Sequence, residues 1–350
     1  MPCRVERRPM SSVVFLDTLC PFPYDAATAQ RRALGPVETT VVRVAEALAR
    51  HHSVTVHQHC WTERTGLDTA VAYSGVDDVP SLAGRLTCDH LVVLNAPHTL
   101  AQAARRFRGG KLWLWLHLMP ARRGAAGLGA SVIAADAGVI VLSERQGAAV
   151  AAHVRAEEGI DLTARIRVIP PPVIVPPLRG PRPEVNPDRL LFAGGPHEGL
   201  DDVIRAFAAV QARRPSARLV LAHPDLAHSY AYGDNPAIRS LGALPHGEMV
   251  RCMRESFCLF HAEARLPRAF SLSLAEAAVL GVPAIAHAGL GANDEVLADP
   301  RQLLDVTDRA AVAERLEDWW REGRPVPAPR PEWSRVSVVQ QWRRMLAEAG

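Results

Sequence analysis

Short apolar runs alternate along this chain with longer segments in which apolar residues return at every third or fourth position. Residues 12–16 form a largely apolar run of strand length. Residues 38–50 place Val41, Val44, Ala45 and Leu48 along one helical face, and residues 54–57 begin the next run. Residues 91–95, 112–117, 139–143 and 166–169 repeat the strand pattern. Such strands, apolar on both faces and separated by helical segments, predict parallel sheets covered by helices on each side.

The alternation stops at residues 170–187, where Pro170, Pro171, Pro172, Pro176, Pro177, Pro181, Pro183 and Pro187 crowd together. Proline fixes φ and lacks a backbone donor, so this segment is predicted to be neither helix nor central strand and to separate two domains. Beyond it the pattern restarts with a run at 190–193, a helix over 200–212 and a strand at 218–222. The helix carries Leu200, Val203, Ile204, Phe207 and Val210 on one face. A second Pro-rich connector at 325–331 precedes a terminal helix over 334–348 with Val336, Val339, Trp342 and Leu346. The expected class is α/β, with Rossmann-like, doubly wound domains at residues 1–180 and 181–328 and a helical segment at 329–350.

At 350 residues and 48% hydrophobic content, the chain is long enough for two domains with their own cores. A net charge of +3 is near neutral at this length, and no zinc-finger spacing or aromatic RNA-binding motif occurs, so no nucleic-acid partner is expected. Cys3, Cys20, Cys60, Cys88, Cys252 and Cys258 form no Cys-x-x-Cys pair and have no His-rich partner spacing. They read as free thiols in a reducing compartment, with no metal site. The opening MPCRVERRPM is charged and lacks an apolar core, so no secretory signal is expected. The least polar stretch, 129–142, is interrupted by Asp136 and is too short to span a bilayer. Together these features predict a cytoplasmic protein. Arg105, Arg106, Arg108, Lys111, Arg122 and Arg123 form a basic cluster, read either as a solvated helix face or as a contact for a membrane surface or anionic acceptor.

The densest chemistry lies at residues 270–287, FSLSLAEAAVLGVPAIAH. Ser271 and Ser273 suit a helix N-cap, residues 274–280 are helix-forming, Gly281 is a stop signal, and a strand begins at Pro283. Free N–H groups at such a helix start, with the positive end of its dipole, attract phosphate. Glu276 has two readings: the partner of Ser273 in a capping box, or a carboxylate for a ribose diol. The turn from Gly194 to Gly199 follows the first strand of the second domain and offers backbone amides to a ligand, unless it is only a tight turn. Leu200 and Asp201 stand where a phosphate loop needs Lys and Ser or Thr, and no Gly-x-Gly-x-x-Gly follows a strand. Both facts argue against a P-loop NTPase and a nicotinamide dehydrogenase. His117 ends the aromatic run LWLWLH, at the edge where open sheets bind ligands or as a structural donor. Gly35-Pro-Val-Glu38 starts a helix, with Pro36 in the first turn and Glu38 favourable to the dipole. A missing side chain at Gly35 also admits close approach to the backbone.

The order of these motifs resembles that of the retaining GT-B glycosyltransferases of family 4 type, the glycosyl transferases group 1. The likeness runs from Leu34-Gly-Pro-Val-Glu38 through Pro196-His-x-Gly-Leu200 to Ala275-Glu-Ala277 and Glu295-Val-Leu297. In that family a Glu-x7-Glu motif precedes a Gly-x-Pro strand. Glu276 takes the second acidic position, Gly281-Val-Pro283 follows, and Arg268 stands where the first acid belongs. Glu198 replaces a Lys that commonly approaches the donor diphosphate, so the resemblance leaves that charge to Arg268 or Arg265.

The resemblance implies a cleft between the two domains and a last helix that crosses back onto the first. It implies a donor site of Gly194, Gly195, His197, Arg268, Phe270, Ser271, Leu272, Ser273 and Glu276, with the base near Ala243 and Leu244. His117, Gly35 and Glu38 would face the sugar as catalytic-pocket residues. The implied reaction moves a sugar, with retention, from a GDP- or UDP-type donor to a glycan or a specialised small-molecule acceptor. It uses no cofactor and no metal, in keeping with the lack of an Asp-x-Asp motif. A non-catalytic homologue serving as a binding or partner subunit, and a nucleotide-sugar epimerase of the same fold, are the alternatives.

Overall fold

The computed structural model describes residues 11–61, 70–75, 88–107, 110–120, 125–177, 181, 183–195, 197–223 and 235–348. Pro196, Arg108, Arg122 and Arg123 lie outside the described residues, as does the side chain of Arg106.

Among the described residues, thirteen strands form two sheets. The first holds β1 (Ser12–Asp17), β2 (Ser53–Gln58), β3 (Val71–Gly75), β4 (His90–Leu94), β5 (Lys111–Trp115), β6 (Gly138–Val141) and β7 (Ile166–Val168), in the order β3-β2-β1-β4-β5-β6-β7. The second holds β8 (Asn186–Phe192), β9 (Arg218–Ala222), β10 (Ile238–Gly242), β11 (Ser256–His261), β12 (Ala284–His287) and β13 (Leu303–Leu304), in the order β10-β9-β8-β11-β12-β13. Every strand pairing is parallel. The connecting helices are α1 (Ala26–Arg31), α2 (Pro36–Leu48), α3 (Pro97–Arg106), α4 (Leu128–Ala134), α5 (Glu144–Glu158), α6 (Leu200–Arg213), α7 (His246–Glu255), α8 (Leu272–Val279), α9 (Asn293–Val296), α10 (Arg309–Glu322) and α11 (Arg335–Glu348).

The α/β class and the two-sheet architecture expected from the alternation hold. Strands such as β4 and β6 are buried at every position, which is why they read as unbroken apolar runs. Both sheets reverse their winding at the same place, between β1 and β4 in the first and between β8 and β11 in the second. In open parallel sheets the crevice at the carboxyl ends of such strands is where ligands bind.

Three local readings need correction. Strand β3 was not legible, because VAYSG contains small residues and alternates buried with exposed positions at the sheet edge. Pro187 lies inside β8 rather than in the linker. Pairing with β11 shifts register there, between Asn186 and Leu190, so no regular ladder bond is demanded of the proline. Strand β5 stops at Trp115, which leaves His117 in the loop beyond it.

Helix α11 packs onto the first domain. Trp342 is fully buried, with its ring 5.8 Å from Phe15 and 4.9 Å from Trp115. Truncating a buried aromatic of this kind costs about 3–5 kcal/mol. Arg105 is exposed on α3. Lys111 donates to the Asp136 carbonyl at 3.1 Å. Among the described residues no helix is long and apolar enough to cross a membrane.

Candidate active site

The two domains are tied together where their carboxyl edges meet. Ser143, the N-cap of α5, donates through Oγ to the Ala269 carbonyl at 2.6 Å. The Glu295 carboxylate accepts from the first α5 amides, Glu144 at 3.0 Å and Arg145 at 3.1 Å, and so supplies a charge suited to that helix end. The side-chain amide of Gln146 on α5 donates to the carbonyls of Leu116 and Leu118 and thereby clamps the backbone on both sides of His117.

Glu276 sits inside α8 and is only 6% exposed. Ser271 caps this helix, accepting from the Leu274 amide, so the helix starts earlier than the sequence pattern suggested and the Ser273 capping box does not form. The Glu276 side chain turns instead toward the first domain. Arg43 of α2 donates to its Oε1 at 2.8 Å, and His246 Nε2 donates to the same oxygen at 3.0 Å. Arg43 also donates to the Pro172 carbonyl in the linker. Burial alone would raise the Glu276 carboxyl, but the His246 hydrogen bond and the Arg43 charge outweigh it and hold the group below its ordinary value. Both bonds fall on Oε1.

The two residues that depart from the family pattern meet each other. Arg268 Nη1 donates to Glu198 Oε1 at 2.9 Å, while Glu198 Oε2 accepts the Gly195 amide at 2.6 Å. Burial pushes the Glu198 carboxyl up, yet the Arg268 charge prevails and lowers it. A carboxylate therefore occupies the turn amide that was expected to lie beneath a diphosphate. Gly194 is required here, since a Cβ would stand 2.6 Å from the Phe192 ring and 2.8 Å from Glu198 Oε2. Arg265, largely exposed, forms two bonds to Asp202. Among the described residues, two buried donors of Arg268, Nε and Nη2, have no hydrogen-bond partner. Beside this pair, His261 is 1% exposed, with its Nε2 3.6 Å from Glu263 Oε1. Burial, aided by the Arg268 charge, lowers its pKa to about 3, so it is neutral.

On the first domain, His117 is 7% exposed, and its ring lies 4.4 Å from that of Trp115 at a tilt of 48°. Burial lowers its pKa to about 3. It can thus exchange hydrogen bonds with a neutral ligand but does not act as a cation. Its amide donates to Asn95 Oδ1 at 2.7 Å. Asn95 itself adopts φ +50°, a left-handed conformation that Asn tolerates better than most residues. The buried Asp17 carboxylate at the end of β1 accepts from the Tyr24 hydroxyl at 2.8 Å and from the Leu19 amide. Glu38 is buried beneath Gly35: a Cβ at Gly35 would lie 2.3 Å from Glu38 Oε2, and burial raises the Glu38 carboxyl.

Residues 187–329 match the sequence model of the family described as glycosyl transferases group 1. Over the whole chain, the fold is similar to that of Anabaena Alr3699/HepE in complex with UDP and glucose, at TM-score 0.68 and 14% identity, covering 97% of this chain and 100% of that one. The chain has the GT-B fold, and the family match falls on its second sheet and the helices around it. The UDP-forming α,α-trehalose-phosphate synthase from Burkholderia xenovorans, in complex with glucose-6-phosphate, shares the fold at TM-score 0.60 and 11% identity, with 97% of each chain covered. AviGT4, a glycosyltransferase involved in avilamycin A biosynthesis, does so at TM-score 0.57 and 17% identity, covering 97% of this chain and 99% of that one. No curated protein matches the chain by sequence.

The remaining sequence-predicted residues have differing surroundings. Ser271, Leu272 and Ser273 form the start of α8, whereas the Phe270 ring packs at 5.4 Å against Trp333 and is buried. His197 and Ala243 are exposed, and Leu244 is half-buried against the core. Sequence reasoning missed Arg43 and His246, whose only signal was an ordinary position on an amphipathic helix. It also missed the left-handed Asn95. Cys20, His59 and Cys60, which show no metal spacing in the sequence, are brought together by the loops after β1 and β2, and among the described residues they form a group with metal-ligand proximity.

Proposed function

We propose that this protein is a glycosyltransferase that moves a sugar from a nucleoside-diphosphate donor, bound at the second domain, to an acceptor bound at the first. The observation that carries this reading is Glu276: an ionised, buried carboxylate in α8 of a group 1 domain, fixed through one oxygen with the other left for the ribose hydroxyls. The diphosphate lies against the first amides of α8, near Leu272 and Ser273, and against the unpartnered edge of Arg268. The base approaches Ala243 and Leu244. His117 offers a neutral imidazole to the sugar, with Gly35 and Glu38 on the acceptor side. The donor is of UDP or GDP type, and UDP is the first to test because it appears with two of the similar proteins.

The reaction retains configuration by front-face displacement. The leaving diphosphate takes the acceptor proton, and fixed donors stabilise its developing charge without a metal. The test is release of UDP or GDP from their sugars by purified protein supplied with small-molecule polyols and glycans. Turnover is expected to fall at least a hundredfold in Glu276→Ala; donor conversion without any acceptor would instead indicate an epimerase.

A second reading, a non-catalytic GT-B subunit, is favoured by one observation. Glu198 already occupies the Gly195 amide and one nitrogen of Arg268. Under that reading, neither diphosphate binds and no sugar donor is consumed.

A further inference from the structure

Cys20 lies in the segment after β1, and His59 and Cys60 lie just after β2, so two neighbouring loops at the carboxyl edge of the first sheet present three soft ligand atoms to one point. Cys20 Sγ stands 2.8 Å from Cys60 Sγ and 3.5 Å from His59 Nδ1, and all three atoms fall within 4.8 Å of one another. Neither thiol is in a disulfide. The backbone holds the loops in place, because the His59 amide donates to the Asp17 carbonyl at 3.1 Å. Cys20 is buried, Cys60 half-buried and His59 exposed, so the cluster is open to solvent on one side.

Two thiolates and an imidazole form a donor set for a soft, tetrahedral ion, whereas calcium and magnesium require oxygen ligands. Around zinc, sulfur at about 2.3 Å and nitrogen at about 2.0–2.1 Å lie roughly 3.5–4 Å apart. The Cys20 to His59 distance already has this value. The thiols need about 1 Å of separation, which the half-buried Cys60 can supply.

We propose that Cys20, His59 and Cys60 bind one zinc ion. Binding replaces the two thiol protons, which pass to solvent, and leaves water in the fourth position. The ion clips together the loops after β1 and β2. Those same loops carry Asp17 and Tyr24, and Gln58 already locks the Tyr24 backbone by accepting its amide at 2.9 Å and donating to its carbonyl at 2.6 Å. The site thereby steadies the carboxyl edge of the first sheet, and it does not depend on the proposed transferase activity.

The test is a titration of the full chain, reduced with a phosphine and freed of metal, first with cobalt(II) and then with zinc. One equivalent of cobalt is expected to give visible tetrahedral bands and a thiolate charge-transfer band, both erased by zinc. Cys60→Ser and His59→Ala, which lie outside the core, should each weaken cobalt binding at least tenfold, while Cys88→Ser leaves it unchanged. Absence of the charge-transfer band, or an unchanged cobalt affinity in Cys60→Ser, overturns the site. So does a metal-free protein isolated with a Cys20–Cys60 disulfide that binds no cobalt after reduction.

Discussion

The two carboxyl edges that face the cleft hold their acids in opposite ways. On the second domain, Glu276 and Glu198 each have an arginine at 2.8–2.9 Å, and both carboxyls are held below their ordinary value despite burial. On the first domain, Asp17 is met by a tyrosine hydroxyl and an amide, and Glu38 is pushed up by burial; neither forms an ion pair among the described residues. One edge holds two arginine-paired carboxylates, beside the buried Glu263, whose carboxyl burial raises as it raises that of Glu38. The other is a set of hydrogen-bonding groups without a paired cation. A charged donor and an uncharged, hydroxyl-bearing acceptor would call for this division, and Arg43 crosses it by lending a first-domain cation to a second-domain carboxylate.

The sharpest way to break the contrast is to reverse one charge of the second edge. Arg268→Glu places two carboxylates together where a partly buried ion pair stood, and a loss of about 2–4 kcal/mol is expected in denaturant unfolding. Adding Glu198→Lys should restore most of it, because the two positions interact directly. A single substitution without cost would show that the pair does not shape this edge.

Acid should reveal the next largest effect. His117 and His261 have folded pKa values lowered from 6.5 to about 3, so the unfolded chain binds protons that the folded chain does not. Stability therefore falls as pH drops below about 6.5 and continues to fall toward 3. The depressed Glu276 and Glu198 add losses of the same sign once pH falls below the ordinary glutamate value of 4.5. Unfolding of His261→Phe between pH 6 and 4 should show a shallower slope than the parent.

A smaller change is expected from Arg43→Ala. It leaves Glu276 with His246 alone, and calorimetry should show nucleoside-diphosphate affinity reduced about tenfold, equivalent to about 1.4 kcal/mol. Smallest in stability is Glu38→Gln. Removing a carboxyl whose charge burial disfavours should leave the melting temperature within about 2 °C of the parent while lowering acceptor turnover, measured at saturating donor.

The sequence made the architecture legible because buried parallel strands such as HLVVL at β4 and GVIV at β6 leave unbroken apolar runs, and because prolines mark the linker. It hid β3, whose small residues carry no such run, and it misplaced Pro187, which an irregular pairing admits into a strand. At the cleft, local motifs marked Glu276, Arg268, Glu198 and His117 but not their partners. Arg43 lies 233 positions from Glu276, and Cys20 lies 40 positions from Cys60; only the winding of the sheets brings them together. Local pattern also failed for the Glu276 side chain, since a capping box and a long-range ion pair look alike until the helix start is known.

The most direct test of the central claim is thermal unfolding of the purified protein with UDP and GDP, alongside Glu276→Ala. A diphosphate that binds the folded state at a hundred times its Kd should add about 2.7 kcal/mol, and the account predicts such stabilisation by at least one of the two in the parent and its loss in Glu276→Ala. An unchanged melting temperature with both nucleotides, or equal stabilisation of the variant, would contradict the donor site described for the second domain.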